Sequence, residues 1–322
     1  MNQIFVYIPH KNGIVDDIAF EFLTAADKIE EKASLSAVVT GCGDNLDKVV
    51  QKLLTIYPNV IKLDNEAFAY PNAEIIRKAL TNTIDSNSIV LLPHDTFGMD
   101  LGPGLSVKMD SAYASDIVDF EGVENNLLKM VRQELGGAVS THVTADISFG
   151  AVITIRPGAF TPIEKESQTG KLIDMSSNVG DLLAKRKFLE VVPSPAGDVD
   201  ITKSDVLVSI GRGIEEEENV EIADELAKAL NAVVSCSRPI VDAKWLEKSR
   251  QVGTSGQTVK PKVYLALGIS GSFQHMGGIK GNPFIVAINK NPKAPVFQVA
   301  DIGIVADILD FVPELTQAIC DL

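Results

Sequence analysis

Two hydrophobic patterns alternate along the first part of the chain: short unbroken apolar runs, and longer segments with apolar residues every three or four positions. An unbroken run of about four to eight apolar residues is typical of a strand buried on both faces of a parallel sheet. Such runs predict strands at residues 4–8, 35–40, 60–63 and 89–93. The periodic segments predict helices at residues 17–31, 44–54 and 73–84. This alternation indicates a parallel sheet with helices on both faces.

The pattern changes beyond Gly104, where short β-rich pieces replace the alternation. They predict strands at residues 127–132, 138–143 and 151–155. We expect these to be antiparallel strands that belong to the same domain.

A second alternating unit begins at Val206. Its apolar runs predict strands at residues 206–210, 232–236, 263–267 and 284–288. Helices are predicted from Val220 to Leu230, at residues 243–249, around Asp307 and from Pro313 onward. The order again favours a parallel sheet.

A segment rich in proline and glycine separates the two units. Pro193, Pro195 and Gly197 fall within a few residues of one another, which is typical of a linker. The chain therefore reads as a two-domain α/β protein, with domains at residues 1–190 and 204–322 and a linker at 191–203.

Composition excludes several classes of function. The 322 residues are 45% hydrophobic and 22% charged, as in a globular protein, and the net charge is −14. Such an acidic chain is poorly suited to nucleic acid or to anionic membranes. Three widely spaced cysteines give neither a disulfide framework nor a zinc site. No signal peptide or membrane span is recognisable, so we expect a cytoplasmic protein without stable membrane insertion.

The stretch VYLALGISGSFQH, residues 263–275, combines a predicted strand, a glycine turn and a predicted helix start. Backbone N–H groups and a helix N-terminus together favour an anion. Ser270 and Ser272 could add hydrogen bonds, while Gly268 and Gly271 would allow close approach. The spacing matches neither standard nucleotide-binding fingerprint. A tight turn without a ligand explains the glycines equally well.

Polar residues follow the predicted parallel strands of the second unit: Arg212, Ser237, Arg238, Ser270, His275 and Asn289. The carboxyl ends of parallel strands border one crevice, where ligands bind in open α/β sheets. Two cations, several hydroxyls, an amide and an acid at Asp307 suit a ligand with a diphosphate, a polyol and a heterocycle. No hydrolytic triad, carboxylate pair or metal cluster is recognisable. The residues predict a bound dinucleotide or similar cofactor, without deciding which.

Several collinear segments of the second unit resemble the α subunit of electron transfer flavoproteins. They are SIGRGI (209–214), CSRPIVDAKW (236–245), SRQVGTSG (249–256), LGISGSFQHMGGIKG (267–281), the run 285–307 and VPEL (312–315). LLPHDTFGMDLGPGL (91–105) and ITIRPGAF (153–160) resemble the family more loosely. The resemblance implies an N-terminal nucleotide-binding-like α/β domain without a cofactor. It also implies a C-terminal parallel-sheet FAD-binding domain of the DHS-like or Rossmann-like type.

Carried over by motif position, the resemblance implies a set of FAD contacts. They are Arg212, Ser237, Arg238, Val252, Gly253, Thr254, Ser255, Ser270, Gly271, Ser272, Phe273, Gln274, His275, Asn289, Asp307 and Ile308. Asn289, Asp307 and Ile308 would hold the adenosine half, and residues 252–255 would border the flavin ring. The chain departs from the family at Thr254, where Gln is common, and at Asn291-Pro-Lys293, which replaces Asp-Pro-Glu. Both departures concern partner preference.

Three of these residues are expected to tune flavin reduction. Arg238 would lie against the ring, and its guanidinium stays charged at any working pH. Ser255 supplies the hydroxyl that faces flavin N5 in the family, where many members have Thr. His275 would add a hydrogen bond at the ring edge, or a charge if protonated. For Arg238, an ordinary ion pair with Asp242 is the structural alternative.

The resemblance also implies partners. These are a β subunit in a heterodimer, electron-donating dehydrogenases such as acyl-CoA or amine dehydrogenases, and a quinone oxidoreductase or other acceptor. The chain would then be a redox carrier rather than an enzyme. An electron-bifurcating complex is one alternative, and a nucleotide-binding domain of an NAD-dependent or thiamine-diphosphate enzyme is another.

Overall fold

The computed structural model describes residues 3–31, 33–135, 139–163, 169–190 and 199–321. The chain divides into two compact units, Met1–Glu190 and Val191–Leu322. Residues 191–198 of the predicted linker lie outside the described ranges.

The first unit is built on one nine-stranded sheet and a small hairpin. Its strands are β1 (Gln3–Tyr7), β2 (His10–Lys11), β3 (Ile14–Val15), β4 (Ser34–Gly41), β5 (Asn59–Asp64), β6 (Ile89–Pro93), β7 (Ala112–Glu124), β8 (Leu127–Glu134), β9 (Val139–Asp146), β10 (Ala151–Ile155) and β11 (Lys171–Asp174). Its helices are α1 (Ile18–Ile29), α2 (Gly43–Leu54), α3 (Ala73–Thr83) and α4 (Thr96–Met109). The order β11-β5-β4-β1-β6-β10-β7-β8-β9 places the most apolar strands at the centre. One hydrophobic cluster lies under α1 and α2 and another under α3 and α4, so the predicted double coverage is confirmed.

The direction predicted for residues 151–155 is wrong. Only the pairs β7–β8 and β8–β9 are antiparallel in the nine-stranded sheet, whereas β10 runs parallel to both β6 and β7. All five residues of β10 are buried, which suits a central parallel strand covered on both faces. The prediction was wrong because β10 directly follows the antiparallel strands β8 and β9 in the chain.

Helix α4 was not predicted, because its sequence contains several glycines and Pro103. Asp95 caps it by accepting a hydrogen bond from the Gly98 N–H at 2.6 Å. A Cβ on Gly98 would stand 1.8 Å from the Pro93 carbonyl oxygen, so close packing requires this glycine. His94 makes a 2.9 Å hydrogen bond to Thr154, in line with the structural role that a strand-end histidine favours.

The second unit has a five-stranded sheet that is parallel throughout. Its strands are β12 (Val206–Ile210), β13 (Val233–Cys236), β14 (Val263–Leu267), β15 (Phe284–Ile288) and β16 (Ile302–Ile304), and its helices are α5 (Val220–Ala229), α6 (Arg238–Asp242), α7 (Phe273–Met276) and α8 (Ile308–Cys320). The order β13-β12-β14-β15-β16 reverses direction between β12 and β14. Such a switch point opens a crevice at the carboxyl ends of the strands.

Three helices predicted for the second unit differ from those observed. The helix expected at 243–249 is instead α6, one turn earlier, with Pro239 in its first turn and Lys244 just beyond its end at φ 65°. The two helices expected around Asp307 and from Pro313 are one helix, α8, with Pro313 inside it. Asp307 precedes α8 and caps it by accepting from the Leu309 N–H at 3.0 Å.

None of the described helices has both the length and the apolar character needed to span a bilayer.

Candidate functional site

A cleft of about 760 Å³ lies in the second unit, at the carboxyl ends of its parallel strands. The turns after β12, β13, β14 and β15 and the start of α8 all contribute to its lining. This volume falls in the range of small-molecule sites. The position at the switch point between β12 and β14 is the one that open parallel sheets use for ligands.

The structure brings together all of the predicted contact residues except Gly271 and Phe273. Those that line the cleft are Arg212, Ser237, Arg238, Val252, Gly253, Thr254, Ser255, Ser270, Ser272, Gln274, His275, Asn289, Asp307 and Ile308. Gly271 packs under the turn instead, since a Cβ there would stand 2.3 Å from the Val296 nitrogen. Phe273 is 46% exposed and does not line the cleft.

Four polar lining residues were not predicted as contacts: Asp242, Gln251, Lys290 and Asn291. Each stands next to a predicted one or close to it in the chain, so proximity in sequence was the available signal. Lys290 forms an ion pair with Glu215. No cluster of His, Cys, Asp and Glu that could hold a metal ion was found among the described residues.

The turns after β12 and β14 touch at the floor of the cleft. Gly211 N–H donates to the Leu267 carbonyl at 2.9 Å, and Gly213 N–H donates to the Gly268 carbonyl at 3.1 Å. A Cβ on Gly213 would stand 2.6 Å from the Gly268 Cα, so side chains are excluded here. The glycines do form tight turns, and they also leave bare backbone facing the cleft. Because α7 has only four residues, and the N–H groups of Gly211 and Gly213 already donate to carbonyls, the anion-site hypothesis rests on the serine hydroxyls and on close approach to this backbone.

Charges of both signs surround the cleft. Arg212, Arg238 and Lys290 line it together with Asp242 and Asp307. The Arg238 side chain is 70% exposed, and its Nε lies 3.4 Å from an Asp242 carboxylate oxygen. The ion pair that was the structural alternative for Arg238 is therefore present, on the wall of the cleft itself.

Asn289 and Asp307 are held by hydrogen bonds within the protein. Asn289 is buried; its Nδ2 donates to the Ile269 carbonyl at 2.9 Å, and its Oδ1 accepts from the Asn291 N–H at 2.9 Å. These bonds tie the turn after β14 to the turn after β15. Asn289 and Asp307 thus shape the part of the cleft that they line, because they fix the turn after β15 and the start of α8.

His275 is a buried, neutral imidazole. Its Nε2 lies 2.8 Å from the hydroxyl of Tyr264, which is fully buried. Its Nδ1 makes no hydrogen bond of normal geometry to the described residues. Burial lowers the pKa of His275 to about 4, and the nearby Val252 carbonyl opposes part of that shift. Of the two roles considered from sequence, the structure at neutral pH favours a hydrogen bond rather than a charge.

We expect the stability of the second unit to fall between pH 6.5 and pH 4 because of His275. Its pKa is about 4 when folded and has the ordinary value of 6.5 when exposed, so the unfolded chain binds the proton more readily. The contribution is constant above pH 6.5, declines as pH falls, and levels off below pH 4. A shift of this size corresponds to about 3 kcal/mol. The measurement is urea unfolding across this range, with wild type compared to His275→Gln.

The variant should lose this part of the pH dependence. His142→Gln is the control, because the His142 ring is 64% exposed. An identical pH slope in His275→Gln and wild type would contradict the expectation.

Two family models match the chain. The model of the electron transfer flavoprotein domain matches residues 4–178, and the model of the electron transfer flavoprotein FAD-binding domain matches residues 200–280. The second range contains the turns after β12, β13 and β14 that line the cleft.

Relatives extend the similarity over almost the whole chain. An electron transfer flavoprotein subunit alpha from Methylophilus methylotrophus is 36% identical, with 98% of each chain covered. One from Thermoanaerobacterium thermosaccharolyticum is 32% identical, covering 98% of this chain and 97% of that protein. The lactate dehydrogenase (NAD(+),ferredoxin) subunit LctC of Acetobacterium woodii is 28% identical, covering 98% of this chain and 76% of that protein.

Proposed function

The chain belongs to the electron transfer flavoprotein α-subunit family, and from this premise we propose that it binds FAD in the cleft of its second unit and carries electrons. It would act within a heterodimer with a β subunit, between dehydrogenases and an acceptor. The cleft is the observation that carries the proposal, because the predicted contacts meet there at the switch point of a parallel sheet.

Three features of the cleft fit FAD. Bare backbone at Gly211, Gly213 and Gly268 allows a diphosphate to approach closely. Hydroxyl and amide side chains, with cations on the walls, match a diphosphate and a polyol chain. His275 Nδ1 is a buried polar atom that makes no hydrogen bond of normal geometry to the described residues, although the Val252 carbonyl lies nearby, and such atoms usually have a partner.

Bound FAD supplies a ring that takes up and releases electrons. The protein's part is to bind it, exclude water and balance the charge that accompanies reduction. Arg238 would supply positive charge, Ser255 a hydroxyl, and His275 a neutral imidazole held by Tyr264. The end of the cleft shaped by Asn289 and Asp307 would take the adenosine half.

The first domain, residues 1–190, would contact the partner without holding a cofactor. The second domain is small for the task of enclosing FAD alone, which supports a shared site with the β subunit. Dehydrogenases such as acyl-CoA or amine dehydrogenases would supply electrons, and a quinone oxidoreductase or similar protein would accept them. The protein would be a cytoplasmic redox carrier without substrate turnover of its own. The similarity to a subunit of an NAD- and ferredoxin-dependent lactate dehydrogenase keeps a bifurcating complex as a second candidate.

A bulky side chain in the cleft should block FAD. Ser270 is exposed on the cleft wall, so Ser270→Trp should weaken FAD binding at least tenfold by filling the space. Thr258→Trp is the control, since Thr258 is exposed in the same unit and does not line the cleft. The measurement is titration of the full-length heterodimer with FAD, followed by flavin fluorescence, with FMN and NAD⁺ compared.

Wild type should bind one FAD per chain and bind FMN more weakly, because FMN lacks the adenosine half. Binding of NAD⁺ without FAD would refute the proposal in favour of an NAD-using protein. Unchanged FAD affinity in Ser270→Trp would place the cofactor elsewhere.

A further inference from the structure

Gln251 is a buried polar residue that is hydrogen-bonded to the exposed Ser255. Only 4% of Gln251 is exposed, and its Nε2 donates a hydrogen bond to the Ser255 Oγ at 2.9 Å. Both residues line the cleft. The hydrogen bond gives the buried amide nitrogen a partner and holds the Ser255 hydroxyl in place on the cleft wall.

The backbone around Gln251 is fixed on both sides. Its N–H donates to the Lys248 carbonyl at 3.1 Å, and its carbonyl accepts from the Gln257 N–H at 2.7 Å. A Cβ on Gly256 would stand 2.3 Å from the Gln251 carbonyl oxygen, so the loop closes tightly against it. The Gln251 amide therefore projects from a rigid base.

The direction of this hydrogen bond determines what Ser255 can offer a ligand. An amide nitrogen only donates, so Ser255 Oγ is the acceptor. The serine's own proton is then not needed for the bond to Gln251, and the hydroxyl can donate it to a ligand in the cleft that Ser255 lines.

We propose that Gln251 is a positioning residue that makes the Ser255 hydroxyl a hydrogen-bond donor to the cofactor's ring. This inference rests on the proposed FAD site and on Ser255 facing the ring. Gln251 acts through Ser255. A donor aimed at the ring favours reduction, because hydrogen bonds strengthen when the acceptor gains negative charge.

Gln251 should matter more for orienting the hydroxyl when residue 255 is serine than when it is threonine. A threonine, common at this place in the family, carries a β-methyl that restricts its χ1 rotamer. Ser255 has no such restraint and is exposed, so its orientation depends on an outside partner. Gln251 supplies that restraint.

A double-mutant cycle on the midpoint potential of the bound flavin tests the proposal. Gln251→Met keeps the side chain's size but removes the donor. It should lower the equilibrium constant for reduction roughly three- to tenfold, the range expected for one hydrogen bond. In a Ser255→Ala background the same substitution should change nothing further. Gln257→Met is the control, because Gln257 belongs to the same loop but does not line the cleft.

Two further variants sharpen the test. Gln251→Glu replaces the donor by an acceptor that captures the serine proton, so it should lower the potential more than Gln251→Met. Ser255→Thr in the Gln251→Met background should recover part of the loss, since threonine restrains its own hydroxyl. An equal loss with and without Ser255, or no loss with flavin still bound, would overturn the proposal.

If the Gln251 variants fail to fold, the proposal can still be tested on protein that keeps Gln251. One side-chain amide proton of Gln251 should shift in the nuclear magnetic resonance spectrum when Ser255 is replaced by Ala. An unmoved resonance would also overturn the proposal. Wild-type protein that binds no flavin would refute the proposed function instead, so the two failures are distinguishable.

Discussion

Replacing Gly268 by alanine is expected to destabilise the second unit by about 2–5 kcal/mol and to abolish most FAD binding. Two costs add. Gly268 has φ 62°, a left-handed conformation that disfavours a side chain. The new Cβ would also stand 2.6 Å from the Gly213 Cα, with rigid backbone on both sides. This overlap can be relieved only if the turns after β12 and β14 move apart, and that movement deforms the floor of the cleft.

The single tryptophan of the chain reports this unfolding selectively. Trp245 lies in the second unit and packs against its hydrophobic core. Its fluorescence during urea unfolding therefore follows that unit alone. The FAD concentration is kept the same for all variants, because bound ligand adds to the apparent stability.

Gly281→Ala is the matched control for Gly268→Ala. Gly281 also has positive φ, at 78°, but the nearest atom to its added Cβ would be Lys260 Cβ at 3.5 Å. It should lose only the backbone contribution, about 1–2 kcal/mol. Equal losses in the two variants would show that the contact between the turns contributes nothing.

Replacing Arg238 by alanine is expected to lower the first reduction potential of bound flavin by several tens of millivolts. Reduction adds negative charge, and a fixed guanidinium beside the ring attracts it. A unit charge at contact distance is worth about 1 kcal/mol in water and about 4 kcal/mol at an effective dielectric of 20. The 70% exposure of Arg238 and its 3.4 Å contact with Asp242 favour the lower value. That value corresponds to about 40 mV for one electron.

Two neighbouring substitutions separate charge from shape. Arg238→Lys keeps the charge and should retain most of the potential, although it loses the planar group. Asp242→Asn removes the opposing carboxylate and should raise the potential. Spectroelectrochemical titration of the heterodimer measures all of these variants. A potential that stays unchanged in Arg238→Ala, with flavin still bound, would make this arginine structural.

Local sequence patterns predicted four of the five strands of the second unit well, whereas the three-residue strand β16 was not predicted. The bounds expected for β12, β14 and β15 are those observed. A continuous apolar run of five residues between turns is typical of a buried strand and too short for most helices. Residues after parallel strands must meet at one edge, so the cleft followed from them without any distance information. Helix positions were less predictable near proline, since Pro239 starts α6 while Pro313 lies within α8.

Properties that depend on contacts between distant segments could not be predicted. The parallel direction of β10 depends on its insertion between β6 and β7, which are separated from it in the chain. The low pKa of His275 depends on its burial beside Tyr264. The bond from Gln251 to Ser255 joins residues only four positions apart, but it depends on the conformation of an irregular loop, which hydrophobic periodicity does not encode.

The sequence by itself determined the α/β class, four of the five strands of the second unit and most of the residues that meet in the cleft. Hydrophobic periodicity sets these, because it acts over a few residues and decides which faces are buried. Only the tertiary structure decided strand order, the contact between the turns that hold Gly213 and Gly268, and the burial of His275. Those features depend on packing between segments far apart in the chain, where many arrangements satisfy the same local pattern and shape selects among them.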